Sequence, residues 1–262
     1  MDCRMDGRTA LITGASTGLG LAMALEFAAA GARVIMLARR ADRLEQARAQ
    51  VAAAGGQAEA FPCDVASAAD IARTWQQISA RQDARVDILV NNAGKATARP
   101  FEQVSDEEWQ SDLDLKLFAA IRLARLALPG MKARRFGRIV NVLNIHAKAP
   151  GPNTAPTSVA RAAGLALTKV LAQEGASHNV LVNALLVGFI ESDQWARRHA
   201  ASGSTQPYRE FLDSMARERR VPLGRVGEAA EFARVATFLC SDAGSYVTGT
   251  AINVDGGLSP IP

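Results

Sequence analysis

The sequence predicts an α/β fold, a Rossmann-type doubly wound parallel sheet of about seven strands with helices on both faces. Three observations carry this expectation. Short, nearly continuous apolar runs recur along the chain, each bounded by Gly, Asn or Asp. The segments between them are longer, Ala-rich and helical in period. A glycine-rich turn joins the first strand to the first helix. Strands that lack polar alternation are covered on both faces, and a crossover helix between consecutive strands makes them parallel.

In chain order, Thr9 to Thr13 is the first strand and Gly18 to Ala30 the first helix. Arg33 to Leu37 leads to the helix Arg43 to Ala54, and Ala58 to Phe61 to the helix Ala68 to Arg81. Val86 to Asn91 precedes Glu107 to Lys132, and Arg138 to Leu143 precedes Thr157 to His178. Val180 to Leu186 is followed by Glu228 to Leu239, and Ala251 to Val254 closes the sheet. On the helix Glu107 to Lys132, Leu113, Leu117, Ile121 and Ala124 repeat at three- and four-residue spacing, a stripe suited to packing. One stretch breaks the alternation. Residues 188–220 mix Trp195, Tyr208, Phe211 and Met215 with many charges and carry Gly203-Ser204 as a hinge. Open α/β sheets bind ligands beyond the carboxyl ends of their strands, so this stretch reads as a lid. No linker or shift in composition divides the chain, and residues 1–262 read as one dinucleotide-binding domain.

Composition narrows the function. With 262 residues, 48% of them hydrophobic, the chain builds a core too large for a disulfide scaffold and too apolar for disorder. Thirty basic against 26 acidic side chains leave a charge of +4, but the arginines are scattered without interleaved aromatics, which argues against nucleic acid. Cys3, Cys63 and Cys240 are far apart and in no ligand spacing, so neither a metal site nor a disulfide frame is expected. No apolar run approaches the roughly 18 residues of a membrane span, and the first residues lack an export signal's apolar stretch. The expectation is a cytoplasmic protein with a small-molecule substrate or ligand.

The motifs carry the chemistry. Thr13-Gly14-Ala15-Ser16-Thr17-Gly18-Leu19-Gly20 forms the turn after the first strand, where backbone N–H groups at a helix start can meet a pyrophosphate. Downstream come Asp64-Val65, Asn91-Asn92-Ala93-Gly94, Pro222-Leu223-Gly224-Arg225-Val226-Gly227, Ser241-Asp242-Ala243 and Asn253-Val254-Asp255-Gly256-Gly257. In this order and at these separations the motifs resemble the short-chain dehydrogenase/reductase family over essentially the whole chain. The resemblance implies hydride transfer between a nicotinamide cofactor and a carbonyl or alcohol. It assigns Gly14, Ser16, Thr17, Gly18, Leu19 and Gly20 to the pyrophosphate, and Asp64 with the Val65 backbone to the adenine. Asn91, Ala93 and Gly94 would line the cofactor, and Gly188 with Ile190 would sit beside the nicotinamide amide. Val187 replaces the proline that usually precedes that glycine. At the end of the second strand an NAD site places a carboxylate, whereas Ala38 stands there, followed by Arg39-Arg40. A guanidinium fork suits a 2′-phosphate, which favours NADP(H) over NAD(H). With 25 arginines in the chain, the pair also reads as two solvated residues opening a helix.

At the catalytic positions the resemblance fails. The family uses a tyrosine acid/base, a lysine four residues later, a serine that holds the substrate oxygen and an asparagine that supports a water relay. Alignment through Leu167-Thr168-Lys169 puts Thr157 in the tyrosine position and Arg161 in the lysine position. Asn144 takes the serine position, reached both by counting back from Thr157 and by following Gly137-Arg138-Ile139-Val140-Asn141-Val142. Lys116 takes the asparagine position. A phenol has pKa about 10 and an aliphatic hydroxyl lies nearer water's 15.7, so threonine is worse as an acid by about 7 kcal/mol. Arg161 keeps a positive charge without relaying protons. Three surrogates offer themselves. Lys116 beside Arg161 would have its pKa lowered by like charge, although Asp112 and Lys116 also read as a surface i,i+4 ion pair. His146 titrates near neutrality but stands alone on a loop, and Tyr208 could swing in from the lid.

The reading that follows is an NADP(H)-dependent oxidoreductase with a nonstandard site, and two cations where the family has one suit an anionic substrate. The alternative is a catalytically inactive nucleotide-binding sensor or the partner subunit of an active relative. A lyase or isomerase has no positive residue signal. The resemblance further implies a homodimer or homotetramer assembled through the two long helices.

Overall fold

A computed structural model of the chain describes residues 2–81 and 85–262. Seven strands form one parallel sheet: β1 (Thr9–Thr13), β2 (Arg33–Ala38), β3 (Gln57–Pro62), β4 (Ile88–Asn91), β6 (Gly137–Asn144), β8 (Val180–Val187) and β9 (Ala251–Val254). Their spatial order is β3-β2-β1-β4-β6-β8-β9, with every neighbouring pair parallel. The chain winds outward from β1 to β3, returns to the other side of β1 and winds outward again. That reversal opens a crevice beyond the carboxyl ends of β1 and β4, where an open α/β sheet binds its ligand. The expected fold class is the observed one.

Helices α1 (Gly18–Ala29), α2 (Ala41–Ala53) and α9 (Ala229–Cys240) cover one face of the sheet. Helices α3 (Ala68–Ser79), α5 (Ala119–Arg134) and α6 (Thr157–Gly175) cover the other. Successive strand residues point to opposite faces, and both faces are packed. Ile12, Val34, Met36 and Val90 join the first core; Leu11, Ile35, Leu37 and Leu89 join the second. This is why the strands read as unbroken apolar runs, each buried aliphatic side chain contributing about 1.5–3 kcal/mol.

The expected helix Glu107 to Lys132 divides into three pieces. Helix α4 (Asp106–Leu113) opens on a capping box in which the Ser105 hydroxyl accepts from the Glu108 N–H and the Glu108 carboxylate accepts from the Ser105 N–H. A π-helical turn, Asp114–Phe118, then leads into α5. Leu113, Leu117 and Ile121 of the predicted stripe are only half-buried, and of that stripe Ala124 alone is fully buried. The inward face is instead Asp112, Lys116, Ala119, Ala120, Leu123, Ala127 and Met131. A π turn takes an extra residue, so a stripe drawn at uniform α spacing loses phase across it. The short antiparallel ribbon β5 (Ala98–Arg99) with β7 (Ala155–Pro156) also lies outside the predicted strands. Between β8 and α9 the expected irregular stretch folds into α7 (Asp193–Ala201) and α8 (Tyr208–Glu218), joined at Gly203, whose φ is +64°. Trp195, Tyr208, Phe211, Leu212 and Met215 pack there with Phe189, Val221 and Val226.

Candidate active site

At the carboxyl end of β1 the chain turns sharply into α1. Gly14 and Gly18 hold φ of +65° and +56°, conformations that suit glycine. A Cβ on Gly20 would lie 2.2 Å from the Gly14 carbonyl oxygen, so only glycine lets α1 approach the turn this closely. Space above Gly18 is open: beyond its chain neighbours and its own helix, no described residue comes within 4 Å of where a Cβ would project. Thr17 caps α1 without a side-chain hydrogen bond, and the first turn contains no acidic residue. The N–H groups of that turn are thus left for an anion, as a dinucleotide pyrophosphate requires.

The neighbouring loops are tied to this turn. The Thr13 hydroxyl accepts from the N–H groups of Asn92 and Ala93, both at 2.9 Å, and the Asn92 amide donates to the Thr13 carbonyl at 2.9 Å. Arg39 and Arg40 are exposed at the end of β2 and form no ion pair among the described residues. Asp64 closes a local turn by accepting from the Ala66 N–H at 3.1 Å, and Val65 is buried in the second core. The Asn91 amide is committed across the sheet, donating to Asn141 Oδ1 at 2.8 Å. A Cβ on Gly188 would stand 2.3 Å from the Cβ of Asp255, so glycine is required there by the close approach of the chain after β9. Ile190 is buried and bridges to Gly227. The residues present fit a dinucleotide: an uncapped helix start for its phosphates, free guanidinium groups at the end of β2 and an open crevice between β1 and β4.

The four residues expected at the family's catalytic positions fall on α6, the end of β6 and the π turn before α5. Thr157 begins α6, Arg161 follows one turn later, Asn144 ends β6 and Lys116 occupies the π turn. The Lys116 ammonium donates to Thr157 Oγ1 at 2.7 Å and makes a very short contact with the Asp112 carboxylate. The Lys116 and Asp112 side chains are 0% and 1% exposed, so this is an i,i+4 pair within the protein and not one on a helix surface. Burial pushes the Lys116 amine down to about 8; Asp112 opposes that fall, and the charges of Arg161 and Lys95 add to it.

Thr157 is fully engaged. Its hydroxyl donates to the Thr97 carbonyl at 2.6 Å and accepts from Lys116 and, at 3.3 Å, from the Thr97 N–H. One proton and two lone pairs are all a hydroxyl has. The Arg161 guanidinium donates through Nη1 to the Val142 carbonyl and lies against Gly94, where a Cβ would meet Nη2 at 2.5 Å. Burial lowers the Arg161 pKa to about 10, with Asp112 opposing. Arg161 Nε and Asn144 Oδ1 are buried without a hydrogen-bond partner among the described residues.

The other two surrogates make local contacts. His146 sits in a 3₁₀ turn with its Nδ1 3.4 Å from the Ala149 carbonyl, a local contact. Tyr208 packs between α7 and α8, its ring 5.4 Å from His199 and 6.4 Å from Phe211. Sequence reasoning missed Asp112 and Thr97 as members of the site. The i,i+4 spacing of Asp112 and Lys116 was visible, but spacing alone does not tell an inward helix face from an outward one.

Comparison with known proteins accounts for this architecture. A family model described as enoyl-(acyl carrier protein) reductase matches residues 14–259. The 3-oxoacyl-[acyl-carrier-protein] reductase FabG of Thermotoga maritima is 33% identical over 258 residues, covering 97% of this chain and 99% of the relative. Among solved structures, the L-sorbose reductase of Gluconobacter frateurii complexed with NADPH and L-sorbose has a TM-score of 0.93 at 33% identity, covering all of both chains. An NADPH-bound short-chain oxidoreductase from Pseudomonas aeruginosa, described as containing an atypical catalytic center, has a TM-score of 0.91 at 35% identity over 99% of each chain. From the glycine turn on β1 to the segment after β9, the chain belongs to the short-chain dehydrogenase/reductase family of oxidoreductases.

Proposed function

We propose that this protein is an NADP(H)-dependent oxidoreductase that interconverts a carbonyl and an alcohol with Lys116 as its proton donor in place of a tyrosine. The observation that carries the reading is the 2.7 Å contact between the Lys116 ammonium and Thr157. It brings a titratable group to the family's acid/base position, where the threonine hydroxyl cannot itself serve. The cofactor supplies or accepts the hydride. Asn144 holds the substrate oxygen through its amide, Arg161 provides fixed positive charge, and Lys116 protonates the oxygen as the carbonyl is reduced, becoming a neutral amine that regains its proton from water admitted when the product leaves. General acid catalysis of this kind contributes about 10²–10⁴ in rate. Gly14, Ser16, Thr17, Gly18, Leu19 and Gly20 receive the pyrophosphate. Asp64 and Val65 receive the adenine, and Asn91, Ala93, Gly94, Gly188 and Ile190 border the nicotinamide half.

Arg39, with Arg40 beside it, reads the 2′-phosphate, and the absence of a carboxylate at Ala38 supports NADP(H) over NAD(H). The NADPH bound by the two structural relatives agrees with that preference. Lys116, with Arg161 and Lys95 acting on it, outweighs Asp112 in charge, which favours a substrate carrying an anionic group. Residues 188–220, with α7 and α8, form the lid over it, within one dinucleotide-binding unit that works in the cytoplasm as a homodimer or homotetramer.

Nicotinamide fluorescence tests the cofactor claim. NADPH should bind saturably and at least tenfold more tightly than NADH, and replacing Arg39 and Arg40 with Ala should cost about 10–100-fold toward NADPH alone, the worth of charged hydrogen bonds. Equal binding of both nucleotides contradicts the preference. A screen of carbonyl compounds tests turnover: wild type should oxidise NADPH with at least one of them. Activity confined to the protein carrying Thr157→Tyr, Arg161→Lys, Asn144→Ser and Lys116→Asn would instead identify a nucleotide-binding protein without turnover.

A further inference from the structure

We propose that Asp112 is a positioning residue, whose buried carboxylate holds the Lys116 ammonium and, together with Thr157, leaves one of its three N–H groups to face the substrate oxygen. The inference rests on the reading of Lys116 as proton donor. It is carried by the accounting of hydrogen bonds around two buried charges. An ammonium has three protons; one goes to Asp112 and one to Thr157, and no partner for the third stands among the described residues. Thr157 cannot rotate to share the load, because both its lone pairs and its proton are engaged. Asp112 Oδ1 takes the lysine, and Asp112 Oδ2 is buried without a hydrogen-bond partner among the described residues. A carboxylate kept in so poorly satisfied a place does little for stability by itself, since desolvation offsets the attraction within a buried ion pair.

The groups that act on Lys116 come from three elements. Asp112 on α4 holds its proton; Arg161 on α6 and Lys95 on the loop after β4 act to expel it, as does burial. Among the described residues, Asp112 is thus the anion that opposes three influences that deprotonate the acid. Without it, the ammonium loses its proton at a lower pH and is no longer held against Thr157.

The experiment follows the Cε and Nζ resonances of the protein grown with isotope-labelled lysine. There are five lysines, and Lys116 is assigned by its absence in Lys116→Met. In the wild type Lys116 should titrate near pH 8. In Asp112→Asn its titration should move down by at least one unit, and in Asp112→Glu it should return toward wild type. An unchanged titration in Asp112→Asn overturns the proposal. The Nζ ammonium resonance of the wild type, held by Asp112 and Thr157, should also resist exchange with water at neutral pH. Its loss to exchange overturns the proposal even if the amide variant does not fold. NADPH-dependent reduction is then measured against pH on the same proteins. A shifted titration with no matching limb in the rate profile rejects Lys116 as the acid while leaving Asp112 as the residue that holds it.

Discussion

Lys116 is a charge the fold tolerates rather than one that stabilises it, with no exposed side-chain surface and a single carboxylate to balance it. Removing one partner strands the other, so Lys116→Met should destabilise the protein by about 3–5 kcal/mol in urea unfolding. The double variant Asp112→Leu with Lys116→Met should be less destabilised than either single change, and a fully additive loss would contradict the pairing. The same lysine makes stability depend on pH. Its amine titrates at about 8 in the folded chain and near 10.4 when unfolded, so between these values the unfolded chain binds more protons. Stability should therefore rise with pH across that window, and Lys116→Met should remove this part of the slope. Motif spacing singled out Lys116, Asn144, Thr157 and Arg161, and the fold brings Lys116 and Thr157 of these into contact. Their hydrogen bonds were not legible in the sequence, and the engagement of Thr157 with Thr97 depends on a loop sixty residues away.

At the scale of elements, the first strand and the last were legible to the residue, and the other strand boundaries fell within two residues. Strands buried on both faces announce themselves as uniform apolar runs. The helix bearing Lys116 was harder, because its inward face carries Asp112 and Lys116 while apolar Leu113 and Leu117 lie on the flank. A hydrophobicity pattern assigns charge to solvent, and here the buried charges are the exception. The helix start expected at Glu107 falls within one residue of the observed one, where the Ser105–Glu108 capping box fixes it. The ribbon of β5 and β7, two residues on each side, is too short for any period to register. One prediction belongs to the turn before α1. Gly20→Ala drives a methyl group into the Gly14 carbonyl, so α1 must shift away from the turn. NADPH binding should weaken by more than tenfold while the circular dichroism of the sheet and helices is retained; unaltered binding would show that the close approach is not what forms the phosphate site.

The whole molecule sets two cores against a sheet whose strand order reverses at β1 and β4, and this reversal was readable in outline from alternating strands and crossover helices. What lies on the outer surface of the helices was not, because a half-exposed apolar residue has the same sequence signature as a buried one. Phe118 on the π turn, Leu126 on α5, and Val159 and Val170 on α6 are all exposed. Apolar side chains exposed on both long helices are suited to a subunit interface, so sedimentation should report a dimer or tetramer, and Leu126→Glu with Val170→Glu should lower the mass. The chain as a whole keeps the fold of its family, and the proposed mechanism routes proton delivery through a buried lysine. The most direct test is single-turnover oxidation of NADPH by wild type and by Lys116→Met across pH 6 to 10, with a carbonyl compound that wild type reduces. The rate in wild type should fall as pH rises through about 8, where the ammonium loses its proton, and Lys116→Met should be about 10²–10⁴ slower with no such limb. A Lys116→Met protein that reduces the substrate at the wild-type rate and with the wild-type pH dependence would contradict the account.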